Sequence, residues 1–162
     1  MEQIQKLLLS DRKFALQNRG NSDYMNKEMY KYISGIDEFF HYFPNIHWCH
    51  FHDVLEFRWY RKLDYEEWHD KFYIDLTMSD LNENDTILLK FKNVSGITSE
   101  RCNFGGWISG LDIINLKYNN PSYENQYEVL DFEDSKIHFY CEDIEVKVLR
   151  AGGTDILHED NT

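Results

Sequence analysis

The chain of 162 residues is poor in cysteine and in long apolar runs, and each shortage excludes a class of protein. Its three cysteines include no Cys-x-x-Cys pair, so a disulfide framework is not expected and the thiols should be reduced and buried. Apolar runs extend over only a few residues, which is too short for a membrane-spanning helix. The N-terminus lacks a basic segment followed by an apolar stretch, so we predict no signal peptide and a cytoplasmic protein.

Positive charge is also scarce in this sequence. Lys and Arg number 17 against 29 Asp and Glu, which gives a net charge of −12 and a pI near 4.9. Nucleic acids and anionic membrane surfaces are bound through clustered basic side chains, so neither is an expected partner. The negative balance instead permits a basic protein partner.

Hydrophobic residues make up 42% of the chain and aromatic residues 16%, which is enough to fill a core. The length favours one globular domain, which we place at residues 1–150 and follow with a flexible tail at 151–162. Residues 1–43 show the spacing of helices, with apolar side chains such as Met25, Met29 and Ile33 on one stripe. We therefore predict a helical N-terminal part.

From residue 46 to residue 149 the apolar period changes to two, which is typical of half-buried strands. We predict strands over residues 49–59, 72–78, 87–92, 108–118, 127–132, 137–141 and 144–148. The last two have opposite parity, which indicates a bulge or turn at Glu142-Asp143. Because no helix long enough for a parallel crossover lies between strands, the prediction is an α+β fold with N-terminal helices followed by a mainly antiparallel sheet or sandwich.

One segment has the composition of a metal site. His50, His52 and Glu56 would share one face of a strand, and imidazole with carboxylate can hold Zn²⁺, Fe²⁺ or Mn²⁺. The His-x-His-x₃-Glu spacing resembles the first metal motif of the cupin family, although the flanking glycines are missing and His138 is the one late histidine that could complete a second motif. The alternative is that these side chains stand on a solvated face.

Charge is concentrated near the end of the chain. Residues 123–145 contain eight carboxylates and one lysine, and aromatic side chains such as Tyr127 are interleaved with them. Aromatic and charged groups together are typical of interface hot spots, and a negative field speeds encounter with a basic partner. The residues that we predict to contact a partner are Glu124, Tyr127, Glu128, Asp131, Glu133 and Asp134.

Four strand patterns follow one another along residues 46–149, namely Phe51-His52-Asp53, Leu89-x-Phe91-x-x-Val94, Ile108-x-x-Leu111-x-Ile113, and Ile137-x-Phe139-x-Cys141 with Ile144-x-Val146. In this order the chain resembles small acidic bacterial immunity proteins that are encoded beside polymorphic toxins. The resemblance implies a cytoplasmic protein without catalytic residues or cofactor that binds and neutralises a toxin domain.

The expected function is therefore that of an immunity-like inhibitor that binds a basic toxin domain through an acidic surface. Two alternatives remain open from the sequence. One is a cupin-like metalloenzyme that uses His50, His52 and Glu56, and the other is an interaction module with no toxin as partner.

Overall fold

The computed structural model describes residues 27–98, 108, 110–131 and 137–158. The predicted helical segment up to residue 26 lies outside the described residues. The described part begins with two short helices, α1 (Lys27–Tyr30) and α2 (Ile36–Tyr42), and a 3₁₀ turn follows at Trp48–His50. The helical character expected up to residue 43 is thus present in the described part as short pieces.

Gly35 separates the two helices. Its φ of +80° lies in the left-handed region that favours glycine, and a Cβ atom there would overlap the carbonyl oxygen of Val146. The neighbouring Ser34 exchanges hydrogen bonds with the strand at Asp143–Ala151, because its amide donates to the carbonyl oxygen of Ile144 at 3.0 Å and its carbonyl oxygen accepts from the amide of Val146 at 2.8 Å. The helical segment is therefore interrupted at Ser34 and Gly35, where the backbone packs directly against a strand.

The strands form two antiparallel sheets, as the alternating pattern predicts. The strand bounds are β1 Asp53–Asp64, β2 His69–Ser79, β3 Thr86–Lys92, β4 Ser95–Thr98, β5 Leu111–Asn115, β6 Tyr127–Asp131, β7 His138–Cys141, β8 Asp143–Ala151 and β9 Thr154–Asp155. The first sheet has the order β1-β2-β3-β8-β9 and the second the order β4-β7-β6-β5. A short helix, α3 (Leu116–Asn119), follows β5.

The change of parity predicted at residues 142–143 is the point where the chain passes from one sheet to the other. β7 belongs to the second sheet and β8 to the first, so their apolar side chains face the same interior from opposite sides. The chain crosses in the other direction between β3 and β4. The two crossings are adjacent, since the amide of Glu142 donates to the carbonyl oxygen of Lys92 at 3.1 Å.

The core lies between the two sheets. The alternating apolar side chains of β2 and β3 are fully buried except for Phe72 at the start of β2, which is 38% exposed; the buried ones are Ile74, Leu76, Met78, Ile87, Leu89 and Phe91. Phe91 of the first sheet meets Phe139 of the second with ring centroids 5.0 Å apart. Aromatic side chains from the helical segment and the 3₁₀ turn complete the core, among them Phe39 and Trp48, whose ring centroids are 4.6 Å apart. Burial of so much aromatic surface is the main favourable term for this fold.

The outer face of the first sheet carries alternating charges. One row of paired residues crosses four neighbouring strands, with Arg58 on β1, Asp75 on β2, Lys90 on β3 and Glu145 on β8. Opposite charges on neighbouring strands stabilise the observed register, whereas like charges in those positions would destabilise it.

The C-terminal segment differs from the predicted flexible tail. Gly152 and Gly153, both with positive φ, form a turn after which Thr154–Asp155 pairs with β8. Arg150 Nε donates to Asp155 Oδ1 at 2.7 Å, and this ion pair holds β9 on the sheet edge. The prediction of a loose tail was therefore wrong for residues 151–155.

Candidate functional site

Three of the six predicted contact residues lie in the interior. Tyr127, Glu128 and Asp131 belong to β6, a central strand of the second sheet, and each is at most 4% exposed. Glu128 Oε1 lies 2.7 Å from Nε2 of His138 on the neighbouring strand. These side chains are structural in this fold, and the outward acidic surface predicted from the sequence does not include them.

Burial also determines the chemistry of Tyr127. Desolvation raises the pKa of its hydroxyl to about 12, above the ordinary value of 10. The opposite residue on β7 is Cys141, and burial raises the pKa of that thiol as well. The expectation of a buried free thiol is confirmed for Cys141, whereas Cys49 is exposed and Cys102 lies outside the described residues.

Of the other predicted contact residues, Glu124 is exposed just before β6. Glu133 and Asp134 lie outside the described residues. Within the described part, the outward carboxylates of this region are therefore Glu124, Glu142 and Asp143, together with the half-buried Glu145.

The predicted metal ligands do not come together. β1 begins at Asp53, and His50 lies before it in the 3₁₀ turn, so His50 and His52 do not share a strand face. His52 Nδ1 faces the Cys49 carbonyl oxygen at 3.4 Å, and Glu56 is exposed beyond a bulge in β1. The structure provides no support for a site built from His50, His52 and Glu56.

His50 instead approaches two aspartates at the β2–β3 turn. Potential ligand atoms of His50, Asp80 and Asp85 all lie within 4.8 Å of one another. Asp85 Oδ2 is 3.0 Å from His50 Nε2, and its Oδ1 accepts from the Gly152 amide at 2.8 Å. Asp80 Oδ1 accepts two amides of the turn, including that of Asn84 at 2.8 Å. One nitrogen and two oxygen donors suit a divalent transition metal, but these hydrogen bonds already account for the arrangement as a link between two turns.

The most exposed aromatic side chains lie on the β1–β2 hairpin. β1 and β2 pair as far as Asp64 and His69, whereas the pairing of β2 with β3 starts only at Tyr73. Residues 61–64 and 69–72 therefore extend past β3 as a two-stranded ribbon of roughly 14 Å, given about 3.4 Å per residue. The base of the ribbon is attached to the chain after β3, because the amide of Val94 donates to the carbonyl oxygen of Phe72 at 2.8 Å. We call this part, with its turn at residues 65–68, the ribbon.

Two aromatic rings stand at the tip of the ribbon. Tyr65 is 74% exposed and Trp68 is 77% exposed, and their ring centroids are 6.4 Å apart. Asp64 holds the turn beneath them, because its Oδ1 accepts the amides of Glu66 and Glu67 at 2.9 and 3.2 Å. The backbone of the tip is thus fixed while the rings remain available to a partner.

An acidic turn lies at the base of the ribbon. Lys92 at the end of β3 pairs with Asp143 of β8 on one side and with Tyr73 of β2 on the other. Tyr73 is the first residue of β2 that follows the ribbon. The pKa of Lys71 in the ribbon is raised by its hydrogen bond to Asp64 and further by the negative charge of Glu142. We call Glu142 and Asp143, both exposed, the acidic turn.

The ribbon falls largely between the strands predicted from the sequence, which end at residue 59 and resume at residue 72. The available signal was the pair Tyr65 and Trp68 in a segment rich in charge, with no apolar period that would place them in a core. These side chains are exposed because β3 ends opposite Tyr73 and does not extend alongside the first residues of β2. A period-two pattern within one strand does not show where the neighbouring strand ends.

Comparison of the chain with protein-family models, with curated proteins and with solved structures gives no match. None of the described helices is long and apolar enough to cross a membrane.

Proposed function

We propose that the chain is a non-catalytic binding protein that neutralises a basic toxin domain, as the resemblance to immunity proteins implies. The observation that carries the proposal is the ribbon, whose tip presents two largely exposed aromatic rings above the acidic turn. Exposed aromatic surface of this kind marks interaction sites, and aromatic side chains are enriched at interface hot spots.

The two parts of this surface have different roles in the proposal. Tyr65 and Trp68 supply the apolar contact area, which determines how slowly the complex dissociates. Glu142, Asp143 and the separate exposed carboxylate Glu124 attract the basic partner, which raises the association rate at low salt. Glu128, Asp131 and Tyr127 support the sheet behind this surface without touching the partner.

A co-expression experiment tests the proposal. The full chain is produced in cells together with the C-terminal domain of a secreted toxin encoded beside its gene, and growth is measured. We expect the chain to restore growth and the purified pair to form a complex. The proposal is overturned if no neighbouring toxin domain is bound and none is neutralised.

Variants of the ribbon and the acidic turn make the test specific. Trp68→Ala with Tyr65→Ala should weaken the complex by roughly 10²-fold or more, as expected for hot-spot aromatics. Glu142→Lys with Asp143→Lys should slow association and reduce its dependence on salt. The matched control is Leu81→Ala, because Leu81 is 67% exposed in the β2–β3 turn at the other end of the hairpin and should leave binding unchanged.

A further inference from the structure

β1 is the edge strand of the first sheet. Its twelve residues run antiparallel to β2 along one side, and no strand among the described residues pairs with the other side. The amide of Ile108 donates to the carbonyl oxygen of His52 at 2.8 Å, just before the strand begins. An exposed edge of this length is a template for pairing with another strand unless its side chains prevent it.

The side chains of this edge combine apolar surface with charges of both signs. Trp59 is 57% exposed at the middle of the strand, and Leu63 is 43% exposed further along. Between and beside them lie the exposed Glu56, Arg58 and Lys62. A strand that pairs here must match these charges as well as the backbone.

The geometry of a strand restricts how two copies of β1 can pair. Every second residue of β1 directs its N–H and C=O groups toward the edge that faces away from β2. In an antiparallel pair of two copies, residues that lie opposite one another must both direct these groups toward the partner or both away from it, so their numbers are both odd or both even. The twofold axis must therefore pass between a residue and the same residue of the second copy. The irregularity between Val54 and Glu56 confines regular pairing to residues 56–64.

An axis through Trp59 makes the strand complementary to itself. Glu56 then lies opposite Lys62 of the second copy, and Arg58 lies opposite Tyr60 of the second copy. Each pair occurs twice because of the symmetry. The first pair is an opposite-charge pair, the second places a guanidinium beside an aromatic ring, and Trp59 meets its own copy at the centre.

The neighbouring axes are less favourable. An axis through Arg58 or Arg61 sets a guanidinium against its own copy, and an axis through Tyr60 sets Arg58 against Lys62. With an axis at Phe57, residues 59–61 would have to pair with residues 53–55 of the second copy, which include the irregular part of the strand. Among the axes near the middle of the regular segment, charge complementarity thus favours the one at Trp59.

We propose that two copies of this chain associate through antiparallel pairing of their β1 strands about a twofold axis at Trp59. The two first sheets then form one continuous sheet, and the interface is isologous. This inference does not rest on the proposed function, because it uses neither the tip nor the acidic turn, which lies beyond β2 and β3. The two proposals share only residues 61–64, which belong both to β1 and to the ribbon.

Charge exchange in the full-length protein tests this register. The dimer dissociation constant is measured by sedimentation, and folding of each variant is verified by circular dichroism. Glu56→Lys should raise this constant by roughly tenfold or more, because two like-charged pairs replace two opposite ones. Lys62→Glu should do the same, and the double variant Glu56→Lys/Lys62→Glu should restore the wild-type value.

Controls and contrary outcomes are equally defined. Trp59→Lys should give a monomer, whereas Trp68→Lys in the tip should leave the dimer intact. The proposal is overturned if the wild-type chain is monomeric at millimolar concentration. It is also overturned if a dimer forms but either charge reversal leaves it unchanged, or if the double variant fails to restore it.

Discussion

Asp64 and Lys71 face each other across the last residues of the β1–β2 hairpin, with Oδ2 of the aspartate 2.8 Å from Nζ of the lysine. The lysine, assisted by the amides of Glu66 and Glu67, lowers the pKa of Asp64 to about 2 from its usual 3.8. Because the folded-state pKa is the lower one, the stabilising contribution is present above about pH 4 and disappears as the pH falls toward 2. The ribbon should therefore loosen in acid before the core unfolds.

Lys71→Met tests this relationship. We expect the pKa of Asp64 to rise part of the way toward 3.8, since the two amides still donate to its other oxygen. A carboxyl NMR titration measures the shift. Lys62→Met is the matched control, because Lys62 lies directly opposite Lys71 on the hairpin but forms no ion pair with Asp64 in the described structure. An unchanged pKa in Lys71→Met would show that the ion pair does not form in solution.

The contact between the two sheets allows a prediction about stability. Phe139→Ala removes a fully buried ring that meets Phe91, and such truncations cost roughly 3–5 kcal/mol in the free energy of unfolding. Tyr65→Ala, which truncates a largely exposed ring at the tip, should change it by less than about 0.5 kcal/mol. Urea denaturation measures both, and equal losses would contradict the assignment of Phe139 to the core.

Gly35 and Gly152 provide a pair of backbone substitutions that separate conformational strain from close packing. Both have positive φ, but a Cβ atom at Gly152 would meet no atom within 4 Å, whereas one at Gly35 would overlap the Val146 carbonyl. Gly152→Ala should cost about 1–2 kcal/mol, the usual penalty for an L-residue in the left-handed region.

Gly35→Ala should cost distinctly more, because the segment before α2 must also move away from β8. Thermal and urea denaturation of the two variants measure the difference. If the two costs are the same, the approach of Gly35 to Val146 is not a constraint on the fold.

The sequence predicts those parts of the fold in which burial follows the local pattern. Ile74, Leu76 and Met78 alternate with polar residues, and β2 has a neighbour on both sides along this stretch, so alternation and burial coincide. Trp59 of β1 lies opposite Ile74 and therefore shares its face of the sheet, yet Trp59 is 57% exposed. Trp59 is exposed because β1 is an edge strand. The number of neighbours that a strand has depends on the topology of the sheet and cannot be inferred from the pattern of residues within that strand.

The candidate site was less predictable for a related reason. Glu128 has the polar position expected of an outward side chain, but it lies on a central strand and meets His138 ten residues away. His50 was assigned to a strand because the alternating pattern continues through it. The local turn prevails there, since the amide of His50 donates to the carbonyl oxygen of His47 at 3.0 Å and closes a 3₁₀ turn. Nδ1 of His47 caps this turn by accepting from the amide of Cys49 at 3.4 Å.

The pair formed by Glu128 and His138 gives the clearest separation between a structural and a binding role. Glu128 is 4% exposed, so removing the imidazole that contacts it leaves a buried carboxylate with one less partner. His138→Ala should lower the free energy of unfolding by about 1–3 kcal/mol, the usual cost of an incompletely satisfied buried polar group. His138→Gln, whose amide can still donate to the carboxylate, should lose less.

Glu124→Gln serves as the control for the same experiment, because Glu124 is exposed and its loss should change stability by less than about 0.5 kcal/mol. Urea denaturation at pH 7 compares the three variants, and the affinity for the proposed toxin partner is measured in parallel. If His138→Ala left stability unchanged but reduced affinity, Glu128 and His138 would belong to the binding surface rather than to the interior of the second sheet.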